Sequence, residues 1–137
     1  MAYTSGLTEQ RDIVTLQAVA EETIGTYRIV TGGVASDGVV AAVDESDYPL
    51  GITGDAGENG KTSYASGDPV IVRYGGIAYL TMSGSGSKFD LITASSGGKG
   101  AKFGARTGQT SGWCIGVATK DWVNNEVIPV LIDRIYK

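Results

Sequence analysis

The chain has 137 residues, among them 21 glycines, 7 tyrosines and 3 prolines, with one cysteine and no histidine. A Ser-His-Asp triad, a Cys-His pair, a His-ligated zinc and an internal disulfide are therefore all impossible. The 11 basic and 15 acidic residues leave a net charge of −4, without the clustered cations that nucleic acid requires, and the 42% of hydrophobic residues is enough for the core of one domain.

Residues 1–12 are polar, with Tyr3 and Leu7 as scattered apolar anchors, and read as a flexible N-terminal arm ahead of a single β domain over 13–137. The start lacks a basic stretch and an apolar run, so no secretory signal is expected and the chain is expected to be made in a cytoplasm. The apolar run at Val127–Ile132 is far too short to span a bilayer, so no membrane partner is expected.

Glycines then cut the chain into short apolar or alternating runs, the pattern of an all-β protein. Strands are predicted at Ile13–Val19, Thr26–Thr31, Gly38–Val43, Leu50–Thr53, Lys61–Ala65, Pro69–Tyr74, Ile77–Met82, Phe89–Thr93, Trp113–Ala118 and Glu126–Ile135. Over Ile13–Val19 the alternation of Val14, Leu16 and Ala18 favours a strand; the spacing of Ile13, Leu16, Ala20 and Ile24 leaves a short helix ending near Gly25 as the alternative. Ser36-Asp37-Gly38 and Glu58-Asn59-Gly60 read as hairpin turns. Ser66-Gly67-Asp68-Pro69 separates two strands, and Tyr74-Gly75-Gly76-Ile77 reads as a tight link between two more. Residues Ser83–Ser87 and Ser95–Gly100 read as exposed loops. The last strand is apolar on both faces and is expected to be central or sandwiched, with Pro129 unable to donate to a ladder. Pro49-Leu50-Gly51-Ile52-Thr53 is echoed by Cys114-Ile115-Gly116-Val117-Ala118, each ahead of a later apolar strand, which implies two related strand positions in one barrel or sandwich. The fold expected is thus a small β-barrel or β-sandwich-like domain with an extended N-terminal arm.

Sites of chemistry are sparse. Gly84-Ser85-Gly86-Ser87-Lys88 and Gly97-Gly98-Lys99-Gly100 lack the Ser or Thr after the lysine, and the following helix, that a phosphate loop needs. The Asp55–Gly60 turn lacks carboxylates where a calcium loop requires them, and Asp44-Glu45-Ser46-Asp47 reads as a solvated acidic loop. Cys114 lies in an apolar strand without a cation or base to activate it, so it reads as a small buried hydrophobe. The 15 acids carry no spacing distinctive of glycoside chemistry. No catalytic, cofactor or metal site is expected, and the chain is not expected to be an enzyme. Large rings remain: Trp113, Trp122 and Tyr79 are candidate subunit-interface anchors, with a sugar-stacking platform around Trp122 as the alternative.

The stretch from about Ile13 to Leu80, with Pro49-Leu50-Gly51-Ile52-Thr53, Gly60 and Ser66-Gly67-Asp68-Pro69-Val70-Ile71-Val72, resembles the small capsid decoration (cement) proteins of tailed bacteriophages. Residues 83–106 have no counterpart in that pattern. The resemblance implies a barrel-like all-β fold and a homotrimer on the outer surface of the phage head at three-fold and quasi-three-fold sites. It also implies a major capsid protein as partner, whose subunits are bridged and stabilised. The arm would engage that protein, which makes Tyr3, Leu7, Arg11 and Ile13 candidate contacts. Another phage part (tail, head fibre or baseplate) and a carbohydrate-binding module are the alternatives.

Overall fold

A computed structural model describes residues 15–55 and 61–137. Tyr3, Leu7, Arg11, Ile13 and the Glu58-Asn59-Gly60 turn lie outside these residues.

The described chain is almost entirely strands and turns, as its glycine spacing predicts. The first half holds β1 (Thr15–Ala20), β2 (Ile24–Gly25), β3 (Ile29–Gly32), β4 (Gly38–Ala41), β5 (Gly51–Thr53), β6 (Ser63–Tyr64) and β7 (Pro69–Arg73). Five of these close a barrel in the order β1-β4-β3-β5-β7, with β7 returning antiparallel to β1 and β4 lying parallel to β1. The second half holds β8 (Ile77–Thr81), β9 (Leu91–Ala94), one 3-10 turn at Ser96–Gly98, β10 (Gly100–Lys102), β11 (Trp113–Ala118) and β12 (Val127–Tyr136). Its five-stranded sheet runs β10-β9-β11-β12-β8, and a parallel bridge between Met82 and Gly100 brings its two edges together.

The second sheet repeats the first barrel strand for strand. β8, β9, β10, β11 and β12 take the places of β1, β3, β4, β5 and β7, with every neighbour and direction kept. The register agrees to the residue. The pairs Ala20↔Val39, Val30↔Gly51, Thr53↔Val72 and Val70↔Ala18 recur as Met82↔Gly100, Ile92↔Gly116, Ala118↔Val130 and Ile128↔Leu80. The short β2–β6 pair, Ile24↔Tyr64, recurs as the bridge Gly86↔Trp122.

Turns repeat as well. Tyr27 N–H donates to the Thr53 carbonyl at 3.0 Å, and Phe89 N–H to Ala118 at 2.9 Å. Both aromatic residues sit at positive φ, 58° and 75°, a conformation that side chains with a Cβ seldom adopt. Gly67 (φ 93°) and Asn125 (φ 69°) form another such pair, each donating its N–H to the strand end at Ala20 or Met82. One residue further on, the Asp68 carboxylate accepts from Ala65 N–H and the Glu126 carboxylate from Val123 N–H.

The first core collects Ala18, Ala20, Ile24, Val30, Val39, Tyr64, Val70 and Val72, and the second holds the counterparts Leu80, Met82, Ile92, Trp122, Ile128 and Val130 together with further residues of both barrels. Sizes are exchanged between partners so that the volume stays filled. Ala20 and Val39 become Met82 and Gly100, and a Cβ on Gly100 would lie 2.9 Å from the Met82 sulfur. Ile24 and Tyr64 become Gly86 and Trp122, whose indole occupies the space that any Gly86 side chain would need.

Several expectations change. The sequence echo around Gly51 and Gly116 marks the same strand in two barrels, not two strands of one. The strand in register with Val70-Ile71-Val72 is Ile128-Pro129-Val130. Tyr74-Gly75-Gly76 joins the barrels, because β7 and β8 belong to different sheets. The predicted strand Thr26–Thr31 begins only at Ile29, since Tyr27 turns the chain through positive φ. Ser95–Gly100 is not wholly exposed: Gly98 packs on the Ile29 backbone and Gly100 starts β10, both buried. β12 is central, between β11 and β8, as its composition predicts.

Candidate interaction surface

Conventional site chemistry is thin among the described residues. They contain no cluster of three or more metal-ligating side chains. Cys114 is fully buried, and burial pushes its thiol up from its ordinary value, away from the nucleophilic thiolate. All buried side-chain polar atoms among the described residues are hydrogen-bonded. Glu21 accepts the N–H groups of Val34 (2.9 Å) and Ala35 (2.7 Å), which holds its carboxyl below the usual range and braces the β3–β4 turn.

The three aromatic candidates occupy different settings. Trp122 is 2% exposed and belongs to the second core, with its indole N–H donating to the Ser83 carbonyl at 3.3 Å. It therefore offers no face to a subunit or a sugar, which corrects its assignment as an interface anchor. The sequence signal was Gly86, the one residue small enough to admit the ring beside it. Trp113 is half-buried at the centre of a cluster, edge-on to Tyr48 (4.9 Å) and Tyr136 (5.1 Å), with the Arg134 guanidinium over Tyr48. It spans the two barrels, since its N–H donates to the Glu45 carbonyl at 2.8 Å. Tyr79 is exposed on β8, edge-on to Tyr27 at 6.3 Å.

Tyr79 belongs to a larger feature, the outward face of the second sheet. Leu91, Val117, Leu131 and Ile77 are cross-strand neighbours in one row over β9, β11, β12 and β8. Pro129 and Tyr79 form the next pair, and Val127 follows. Ile77 is 58% and Leu131 46% exposed, and Phe89, at the head of β9, is 72% exposed. The corresponding row in the first barrel is Ile29, Ile52, Arg73 and Thr15. There the two isoleucines are 0% exposed, and the other two positions are polar. A contiguous apolar sheet face rimmed by Asp133, Lys88 and Asp121 is the surface pattern of a protein–protein contact. Register alone brings these residues together, so sequence inspection finds the strands but not the row.

The chain's sequence matches no protein family and no curated protein. Its fold does have a counterpart. The N base of the head fibre protein gp8.5 of bacteriophage phi29 superposes with a TM-score of 0.65, over 88% of this chain and 93% of that one, at 14% identity. At that identity the likeness is one of fold.

Proposed function

We propose that this chain is a structural, non-enzymatic component of a tailed-phage virion, of the head-fibre-base kind, seated on the outer surface of the head as a homotrimer. The observation that carries the reading is the fold shared with the phi29 head fibre base along nearly the whole of both chains. The absence of histidine, a buried and unactivated Cys114 and an exposed apolar sheet face support it, since they suit a protein that holds surfaces together. The partner in this reading is a major capsid protein, engaged by the N-terminal segment with Tyr3, Leu7, Arg11 and Ile13. Many weakly held copies on a repeating lattice would attach firmly.

The decoration resemblance adds a narrower version, in which the protein also stiffens the shell. One experiment separates the two. Purified protein is added to expanded heads that lack it, and occupancy is imaged while DNA release is followed on heating. A fibre base occupies the head without changing the release temperature; a cement protein raises it. Heads that stay bare would refute both versions. Removal of residues 1–14 is expected to leave a folded protein with at least tenfold weaker head binding, and unchanged binding would refute the assignment of the segment.

A further inference from the structure

We propose that copies of this chain join head to tail, the outward apolar row of one copy's second barrel filling an open groove on the next copy's first barrel. This rests on the internal repeat and not on the virion reading.

The two barrels already make such a contact with each other. Ile29 and Ile52 point out of the first barrel, on the side opposite Val30, yet both are fully buried. With Ala42 they belong to one core with Ala78, Ala94 and Ile115 of the second barrel. Backbone contacts fix the junction: Thr81 N–H donates to the Tyr27 carbonyl at 2.9 Å, and Gly98 packs on Ile29. The first barrel thus presents a plug, and the second barrel provides the socket for it.

Each barrel, being a copy of the other, carries both parts. The second barrel's plug is Leu91, Val117 and Phe103, which stand at the places of Ile29, Ile52 and Ala42. Phe103 N–H even repeats the bond of Ala42 N–H, donating to Leu91 as Ala42 does to Ile29. The described residues leave this plug uncovered: all three residues are part-exposed, and Phe89, at the place of Tyr27, stands 72% exposed beside them. Among the described residues the first barrel's socket is open to match. Leu16, Gly32 and Leu50 replace Ala78, Ala94 and Ile115, and they line a groove of about 620 Å³. Val34, 99% exposed, stands at its rim. Among the described residues, one plug and one socket are used within the chain and one of each is left over. A second copy is the occupant for which the apolar part of the junction between the two barrels is the precedent. Three cis contacts have no direct repeat: Asp90 stands where Arg28 reaches the Gly97 carbonyl, Val19 N–H, at the place of Thr81, already donates to the Asp37 carbonyl at 2.8 Å, and Asp37 stands at the place of Gly98. The contact joins two different surfaces, so it closes into a ring where the rotation per copy divides a full turn.

Light scattering after size exclusion tests this with two variants. Phe89→Asp/Leu91→Asp spoils the plug, and Gln17→Asp/Val34→Asp spoils the socket. All four positions lie outside the two barrel cores, and thermal unfolding checks that each variant is folded. The wild type is expected to form a small closed oligomer. Each variant alone should associate at least tenfold more weakly. Their equimolar mixture should give 1:1 dimers, since one supplies an intact plug and the other an intact socket. Variants that keep the wild-type size, or a mixture that stays monomeric at high concentration, would overturn the proposal. So would a monomeric wild type whose groove cross-links to its own residues 1–14. Rescue by mixing together with a wild-type oligomer of other than three chains would leave this surface standing and remove the trimer from the functional reading.

Discussion

The two barrels share a hydrogen-bonding plan and almost no side chains. What they keep is informative. β5 and β11 each carry a glycine, Gly51 and Gly116, where the strand passes its neighbour's carbonyl at Arg73 or Leu131. Both barrels turn through positive φ at an aromatic residue and again before β7 or β12. What they exchange is size: Ala18 for Leu80, Leu16 for Ala78, Tyr64 for Trp122. A fold of this kind is fixed by register, a few backbone-determined positions and total core volume, and it tolerates many fillings. What differs without compensation is the outward row, Ile29, Ile52, Arg73 and Thr15 in one barrel against Leu91, Val117, Leu131 and Ile77 in the other. Uncompensated difference on a surface is where a binding role is read.

The glycine pair gives the hardest test of this equivalence. A Cβ on Gly51 would lie 2.5 Å from the Arg73 carbonyl oxygen, and one on Gly116 would meet the Leu131 carbonyl closer still. The obstacle is backbone on both sides, so the strands must part. Gly116→Ala and Gly51→Ala are each expected to destabilise by about 3 kcal/mol in urea titrations, at the upper end for overpacking. If one of them unfolded at the wild-type urea concentration, the two positions would not be equivalent.

The size exchange comes next. Gly86→Ile alone puts a branched side chain where the Trp122 ring lies and should cost about 2 kcal/mol or more. The double variant Gly86→Ile/Trp122→Tyr recreates the Ile24–Tyr64 pair of the first barrel and should recover at least about 1 kcal/mol through coupling of touching residues. Additive losses in the double-mutant cycle would show that the two cores fill their volume by different rules.

These same exchanges explain how much of the architecture was legible in the sequence. Turn glycines and alternation place most strands to within a few residues, and Gly51 and Gly116 betray one repeated strand. The remainder of the repeat is invisible because Ile24 and Gly86, or Val39 and Gly100, share a position but no chemical character. β10 is hidden in a glycine-rich stretch whose buried residues, Gly98 and Gly100, are small because neighbours crowd them. Trp122 reads as an interface anchor, since Gly86 and Ser83, against which it is buried, are distant in sequence. The apolar row requires the register of four strands, which no local pattern encodes.

A smaller effect is expected at the turns before β7 and β12. Gly67→Ala forces a β-carbon into positive φ, Asn125→Ala removes the short polar side chain that tolerates it there, and each should cost about 1 kcal/mol. Asn125→Gly should be neutral or slightly stabilising, because it installs the first barrel's solution in the second. A loss above about 1 kcal/mol for Asn125→Gly in thermal unfolding would instead assign the stability to the Lys99 Nζ–Asn125 hydrogen bond of 2.9 Å.

The smallest effect concerns the loop that precedes β11. It is held to the first barrel by Glu45, whose carboxylate accepts from Arg106 and, at 2.8 Å, from Gln109. The Arg106 guanidinium holds the Glu45 carboxyl below its ordinary value. A carboxyl with a depressed folded value adds stability that is present above its unfolded value, about 4.5, and fades as pH falls through the folded one. Glu45→Gln should therefore flatten the dependence of stability on pH below about 5 while changing little at neutral pH, where Arg106 is exposed and salt screens the pair. Raised salt should flatten the wild-type curve in the same window. An unchanged pH profile in the variant would mean that the loop is held by the Trp113 N–H to Glu45 carbonyl bond and the Tyr48–Trp113–Tyr136 stack alone, with the carboxylate contributing nothing to the union of the two barrels.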